Sequence, residues 1–135
     1  MEQTLALIKP DAVQRRLVGA IISEIEKNDF RIVAIKTLRL TVTEAKTFYQ
    51  AHRRKPFFDS LVEYMASGQI FVLLLEKEDA VEAWRKLHGH TDPAKAESGT
   101  LRSRFGIDVQ QNSVHAADSL ATALNEINFF FGEGQ

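Results

Sequence analysis

Cysteine is absent from the chain. Its absence removes disulfide scaffolds, thiolate metal sites and cysteine nucleophiles together. Long apolar runs are also missing. The longest, Ile70 to Leu75, has the length of a buried strand and falls far short of a membrane span. The run Leu5-Ala6-Leu7-Ile8 stops at Lys9-Pro10 and is too short for the core of a signal peptide. Neither sign of charge prevails: 17 Lys and Arg against 18 Asp and Glu leave a formal net charge of -1. No whole-molecule field therefore draws nucleic acid or an anionic membrane, and any anion site has to be local. G-x-x-x-x-G-K-[ST] and G-x-G-x-x-G are both missing, which closes the P-loop and dinucleotide-fingerprint routes to phosphate binding. There is no internal repeat, low-complexity tract or linker.

What is present suffices for a core. The 135 residues, 44% of them apolar, predict one domain spanning 1–135 that needs neither disulfide nor metal to hold together, in a soluble cytoplasmic protein. Thr4 to Ile8 reads as a strand stopped by Pro10. From Asp11 to Lys27, Val13, Leu17, Val18, Ile21, Ile22 and Ile25 recur at helical spacing. Phe30 to Leu40 reads as a second strand. Thr41 with Glu44 resembles a capping box opening a helix to about His52. A short helix follows Pro56 and runs to Ala66, with Gly68 placed as a helix-ending glycine. Gln69 to Glu76 is the third strand. Glu78 to His88 is a helix stopped by Gly89. Residues 89–112 show little periodicity, and an irregular stretch of that length in a small domain is usually functional. Ser113 to His115 reads as a last strand, and Asp118 or Ser119 caps a final helix to about Phe130. This order predicts a ferredoxin-like α+β sandwich: a four-stranded antiparallel sheet with helices packed on it.

Among His52, His88, His90 and His115, the last stands out by position, at the end of an apolar strand just before a helix start, where an anion is stabilised. The alternative is a histidine packed at a strand–helix corner. Lys9, directly after a buried strand, is expensive unless its ammonium has a partner, either a phosphate or a carboxylate such as Asp11. Arg85 lies one turn before Gly89, and Arg102 lies inside the irregular segment with Thr91 between them. If that segment folds back, the three converge as phosphate donors. Arg15, Arg16, Arg31, Arg39, Arg53 and Arg54 read as surface charge.

Seven fragments in order tie these residues together: Ile8-Lys9-Pro10-Asp11-Ala12-Val13; Tyr49 with Lys55-Pro56-Phe57-Phe58; Ser67-Gly68; Gly89-His90-Thr91-Asp92-Pro93; Gly99-Thr100-Leu101-Arg102; Asn112 with His115; and Asp118-Ser119. In these the chain resembles the nucleoside diphosphate kinase family over almost its whole length. The resemblance implies that His115 accepts the γ-phosphate of a nucleoside triphosphate and passes it to a diphosphate in a ping-pong cycle. It implies that Glu126 orients the ring, and that Lys9, Tyr49, Arg85, Thr91 and Arg102 hold the β- and γ-phosphates. Asn112 and Lys9 would reach the sugar hydroxyls. Phe57 would stack on the base, a contact open to every base, with Leu61 and Val109 lining the opposite wall. Magnesium would ride on the nucleotide phosphates with no protein cage, so no metal ligands are expected. A homo-oligomer is implied, with no membrane and no specific nucleic acid as partners. The sequence departs from the family at Ala116-Ala117, where relatives carry Gly-Ser. The serine hydroxyl helps fix the Glu–His arrangement, and glycine matters if its position needs positive φ. That departure leaves open a nucleotide-binding regulatory relative with weakened catalysis. Many relatives continue past the position of Gln135 with a tail used between subunits, which leaves assembly size open. A ferredoxin-like RNA-binding module is least supported, since Gln69 to Glu76 offers only Phe71 as a stacking aromatic.

Overall fold

Four strands, each antiparallel to its neighbour, form one sheet in the order β2-β3-β1-β4. They are β1 (Glu2–Ile8), β2 (Arg31–Leu38), β3 (Ile70–Lys77) and β4 (Val114–His115). Among the described residues seven α-helices accompany them: α1 (Pro10–Gln14), α2 (Val18–Lys27), α3 (Val42–Phe48), α4 (Phe58–Met65), α5 (Ala80–His88), α6 (Leu101–Phe105) and α7 (Leu120–Phe131). The structure is a computed structural model and describes residues 1–107, 111 and 113–132.

Period-two alternation explains why β1 and β3 occupy the middle. Leu5, Leu7, Val72 and Leu74 pack on one face with Leu61 and Met65 of α4 and Ile127 and Phe130 of α7. Ala6, Ile8, Leu73 and Leu75 pack on the other with Ile21 and Ile25 of α2, Trp84 of α5 and Leu101 of α6. Both faces are thus covered, and a strand buried on both sides reads as the continuous apolar run seen in the sequence. Each fully buried Leu or Ile contributes roughly 1.5–3 kcal/mol. The expected ferredoxin-like α+β arrangement is the one observed.

Three local details differ from the sequence reading. The helix expected from Asp11 to Lys27 is two helices, broken where Arg16 turns left-handed at φ 61°. Its apolar stripe runs on across the break, with Val13 and Leu17 packed on the same core as Ile21 and Ile25, so periodicity alone carried no sign of it. The helix expected from Thr41 to His52 stops at Phe48 and tightens into a 3-10 turn at Gln50–His52. Gly68 is not left-handed; α4 ends at Ala66 in helical geometry. The capping box is as expected, with Glu44 N–H donating to Thr41 Oγ1 at 3.0 Å and Thr41 N–H to Glu44 Oε1 at 2.9 Å. Of the two candidates for capping α7, Ser119 does so, its Oγ accepting from Thr122 N–H at 3.1 Å.

Candidate active site

β1 ends at Ile8, and Lys9 is drawn across to the β4 connection, its N–H donating to the Ser113 carbonyl at 2.8 Å. Asp11 is buried and ties the same junction from the other side. It accepts from Ser113 Oγ at 3.0 Å and from the Tyr64 hydroxyl, which in turn accepts from Asp11 N–H at 3.0 Å. Asp11 is therefore committed to Ser113 and Tyr64. Ser113 adopts φ 77°, a left-handed turn that brings the chain into the two-residue strand Val114–His115 beside Ile8 and Leu7.

His115 opens into a cleft of about 630 Å³. Its Nε2 lies 2.8 Å from Glu126 Oε2. Glu126 reaches it because α7 buries Ala123, Glu126, Ile127 and Phe130 on one stripe. A carboxylate in an apolar stripe is costly without a partner, and His115 is that partner. The rings of Phe48 and Tyr49 meet the imidazole edge-on at 5.3 and 5.8 Å between centroids, closing the wall of the cleft behind it.

Lys9, Tyr49, Phe57, Leu61, Thr91, Arg102, His115 and Glu126 all line this one cleft. Residues from 9 to 126 thus converge as the sequence reading requires. Arg85 does not line it; it faces an adjoining hollow of about 1050 Å³ that shares Arg102 and Thr91. The hollow is larger, but His115 and Glu126 line only the smaller cleft. Val109 and Asn112 lie outside the described residues. Phe48, Asp118 and Thr122 also line the cleft and were missed. Phe48 carried a signal as an apolar residue of α3, Asp118 was visible only as a capping candidate and in the Asp118-Ser119 fragment, and Thr122 carried none.

Arg102 has a structural task as well. Its Nη1 donates to the Gly89 carbonyl at 3.2 Å and its Nη2 to the Val114 carbonyl at 2.9 Å, so the irregular segment is pinned to β4 through this guanidinium. Two of its five N–H groups are used there, and the Nε proton is buried with no partner among the described residues. Burial, then the neighbouring Arg85, push its pKa down to about 10, against the pull of Tyr49; it stays cationic at neutral pH. Burial pushes the Tyr49 phenol up, helped by the Glu126 charge and opposed by Arg102. Tyr49 thus stays a hydroxyl, and its oxygen has no hydrogen-bond partner among the described residues.

Ala116 is not left-handed, so the loss of glycine there introduces no backbone strain. Ala117 is buried against Val81 and Ala123. It offers no hydroxyl, and Glu126 Oε1 is buried without a partner among the described residues. Of the other histidines, His52 is exposed at the cleft edge and His90 Nδ1 accepts from Asp92 N–H at 2.9 Å. His88 is buried with neither ring nitrogen hydrogen-bonded among the described residues. Among those residues no group of three or more carboxylate and imidazole side chains converges as a metal site, and no helix is long and apolar enough to cross a membrane.

The family model described as nucleoside diphosphate kinase matches residues 2–135. A nucleoside diphosphate kinase of Lawsonia intracellularis is 53% identical over 131 residues, covering 97% of this chain and 95% of that protein. One from Histophilus somni is 53% identical over 135 residues, covering 100% and 96%. The Aquifex aeolicus nucleoside diphosphate kinase structure superposes with a TM-score of 0.95 at 39% identity, over 98% of this chain and 96% of that one. Alike in fold and in sequence over nearly its entire length, the chain belongs to the nucleoside diphosphate kinase family.

Proposed function

We propose that this nucleoside diphosphate kinase moves the γ-phosphate of a nucleoside triphosphate to a nucleoside diphosphate through a phosphate carried on His115. The observation that carries the reading is the 2.8 Å pair between His115 Nε2 and Glu126 Oε2, set in a cleft lined by Lys9 and Arg102. With its Nε2 proton donated to the carboxylate, the neutral ring presents the Nδ1 lone pair. Nδ1 attacks the γ-phosphorus as the bond to the bridging β,γ-oxygen breaks, and that electron pair leaves with the diphosphate. The phosphorylated ring is cationic, and Glu126 stabilises it. In the second half-reaction a terminal oxygen of the acceptor diphosphate attacks phosphorus, and the N–P electron pair returns to the ring.

Charge in this transition state spreads over the equatorial phosphoryl oxygens, so fixed donors around them do most of the work. Lys9, Tyr49, Thr91 and Arg102 are the donors in the cleft, with Arg85 adding to the field from the adjoining hollow. The substrate is the magnesium complex of the nucleotide, the ion arriving on the phosphates. Phe57, 48% exposed at the cleft mouth, and Leu61 receive the base; Lys9 reaches the sugar, with Asn112 and Val109 as further contacts. We also read 1–135 as one domain working in the cytoplasm as a homo-oligomer; Val33 and Ile35, exposed on the outer strand β2, support the last point.

Incubation with γ-labelled ATP and magnesium tests the reading. Acid-labile, base-stable label should form on the wild type, be absent from His115→Ala, and move onto added diphosphate. A regulatory relative with weakened catalysis is favoured by one observation: Glu126 Oε1 has no partner among the described residues, beside a cleft in which Ala117 supplies no hydroxyl. Label that forms and never transfers would select it. Nucleotide binding without label would overturn the kinase reading.

A further inference from the structure

Glu126 fixes the far end of the His115 ring, but the ring also needs a fixed backbone. β4 contributes little by itself: it is two residues long and lies at the outer edge of the sheet beside β1. Its carbonyls are instead held from outside the sheet. Arg102 of α6 takes that of Val114, and Trp84 of α5 donates its indole N–H to that of His115 at 3.1 Å. Trp84 is wholly buried, and its ring is held edge-on between Phe30, at 6.0 Å, and His88, one helical turn further on, at 4.2 Å. The direction of its N–H is therefore set by packing before it meets the carbonyl.

We infer that Trp84 is a positioning residue for phosphoryl transfer: its hydrogen bond to the His115 carbonyl sets where Nδ1 stands relative to the incoming γ-phosphate. This rests on the proposed role of His115. A buried tryptophan N–H usually finds some acceptor, so the bond by itself would mean only a satisfied core. What separates this case is the acceptor, the backbone of the phosphate carrier, in a strand too short to locate itself. Nε2 is tied to Glu126, so any drift of the backbone either breaks that pair or swings Nδ1. A misplacement of about 1 Å at a reacting atom slows a reaction on the order of 100-fold.

Trp84→Phe keeps an aromatic ring in the core and removes the donor together with part of the indole's volume. Under single-turnover, rapid-quench conditions with saturating ATP and magnesium, its phosphorylation of His115 should be about tenfold slower than wild type, with ATP affinity unchanged. Ile25→Val is the control for general loosening, because Ile25 is an apolar residue of the same core with no donor to offer the β4 carbonyls, and its rate should match wild type. A Trp84→Phe rate equal to wild type, or a loss shared by Ile25→Val, overturns the inference. The wild type gives a reading that needs no folded variant. Trp84 is its one tryptophan, so its emission should shift on stoichiometric phosphorylation and return on adding diphosphate, with no shift in His115→Ala. An emission blind to phosphorylation overturns the inference too. A wild type that takes no phosphate on His115 defeats the kinase reading itself, a result separable from the others because it precedes any comparison of variants.

Discussion

Of the side chains that meet at His115, the sequence identified most through resemblance and few through pattern. Lys9 after a buried strand and His115 before a helix were visible as oddities, because a charge or an imidazole at such a corner needs a partner. Glu126 came through the resemblance alone, and its place inside the buried stripe of α7 emerged with the structure. Phe48 and Trp84, which shape and anchor the site, look like ordinary core residues until their contacts are known. Glu126→Gln keeps the size of the side chain and loses the charge that stabilises the phosphorylated ring. Its phosphorylation rate should fall about 100-fold or more, measured as burst label per site with the melting temperature unchanged. Ala117→Ser places a hydroxyl in the cleft where Glu126 Oε1 has no partner among the described residues. We expect it to raise the phosphorylation rate; a rate equal to or below wild type would mean the hydroxyl does not reach that oxygen. Lys9→Ala removes a fixed cation from the transition state, and about 3–4 kcal/mol of barrier should return, read in kcat/KM.

At the scale of elements, the strands, the capping box and the order of the fold were legible because period-two and helical patterns dominate them. The irregular segment was not, since its shape depends on side chains reaching backbone groups far away in sequence. Arg102 illustrates the difference. Read as a phosphate donor alone, it predicts that Arg102→Ala loses turnover and keeps its fold. In the structure that change also strips the Gly89 and Val114 carbonyls of their donors. We therefore expect Arg102→Ala to lose about 1–3 kcal/mol of stability as well, seen in urea titration, since a buried carbonyl left unpaired, here that of Val114, costs about that much. Gly89 ends α5 at φ 83°, and a Cβ there would stand 2.7 Å from Thr100 Cβ. That close approach explains a glycine at the start of the segment, where the sequence reading saw only a helix stop.

For the whole molecule, acid sensitivity follows from one buried ring. His88 is held well below 6.5 by burial, then by Arg102, His115, Lys9 and Arg85, so the folded protein keeps it neutral. Above about pH 6.5 folded and unfolded chains both leave it unprotonated, and it has no effect on stability. As pH falls below that value the unfolded chain takes up a proton the fold refuses, and stability declines until the lowered folded pKa is reached. His88→Leu should lose less melting temperature than wild type between about pH 7.5 and about pH 5; parallel curves would remove His88 as the cause. The sheet carries a different consequence. Thr4 to Ile8 are five successive residues with no solvent exposure, Leu5 to Ile8 alternating between the two cores, and they lead straight into Lys9. Across the cleft, Thr91 lies in irregular chain between α5 and the 3-10 turn Pro93–Lys95, outside the sheet. Amide protons on β1 should therefore outlast all others in deuterium, while those around Thr91 exchange early. The phosphate would then be gripped between a wall that almost never opens and one that opens often, which lets the site hold its charge firmly and still release the nucleotide.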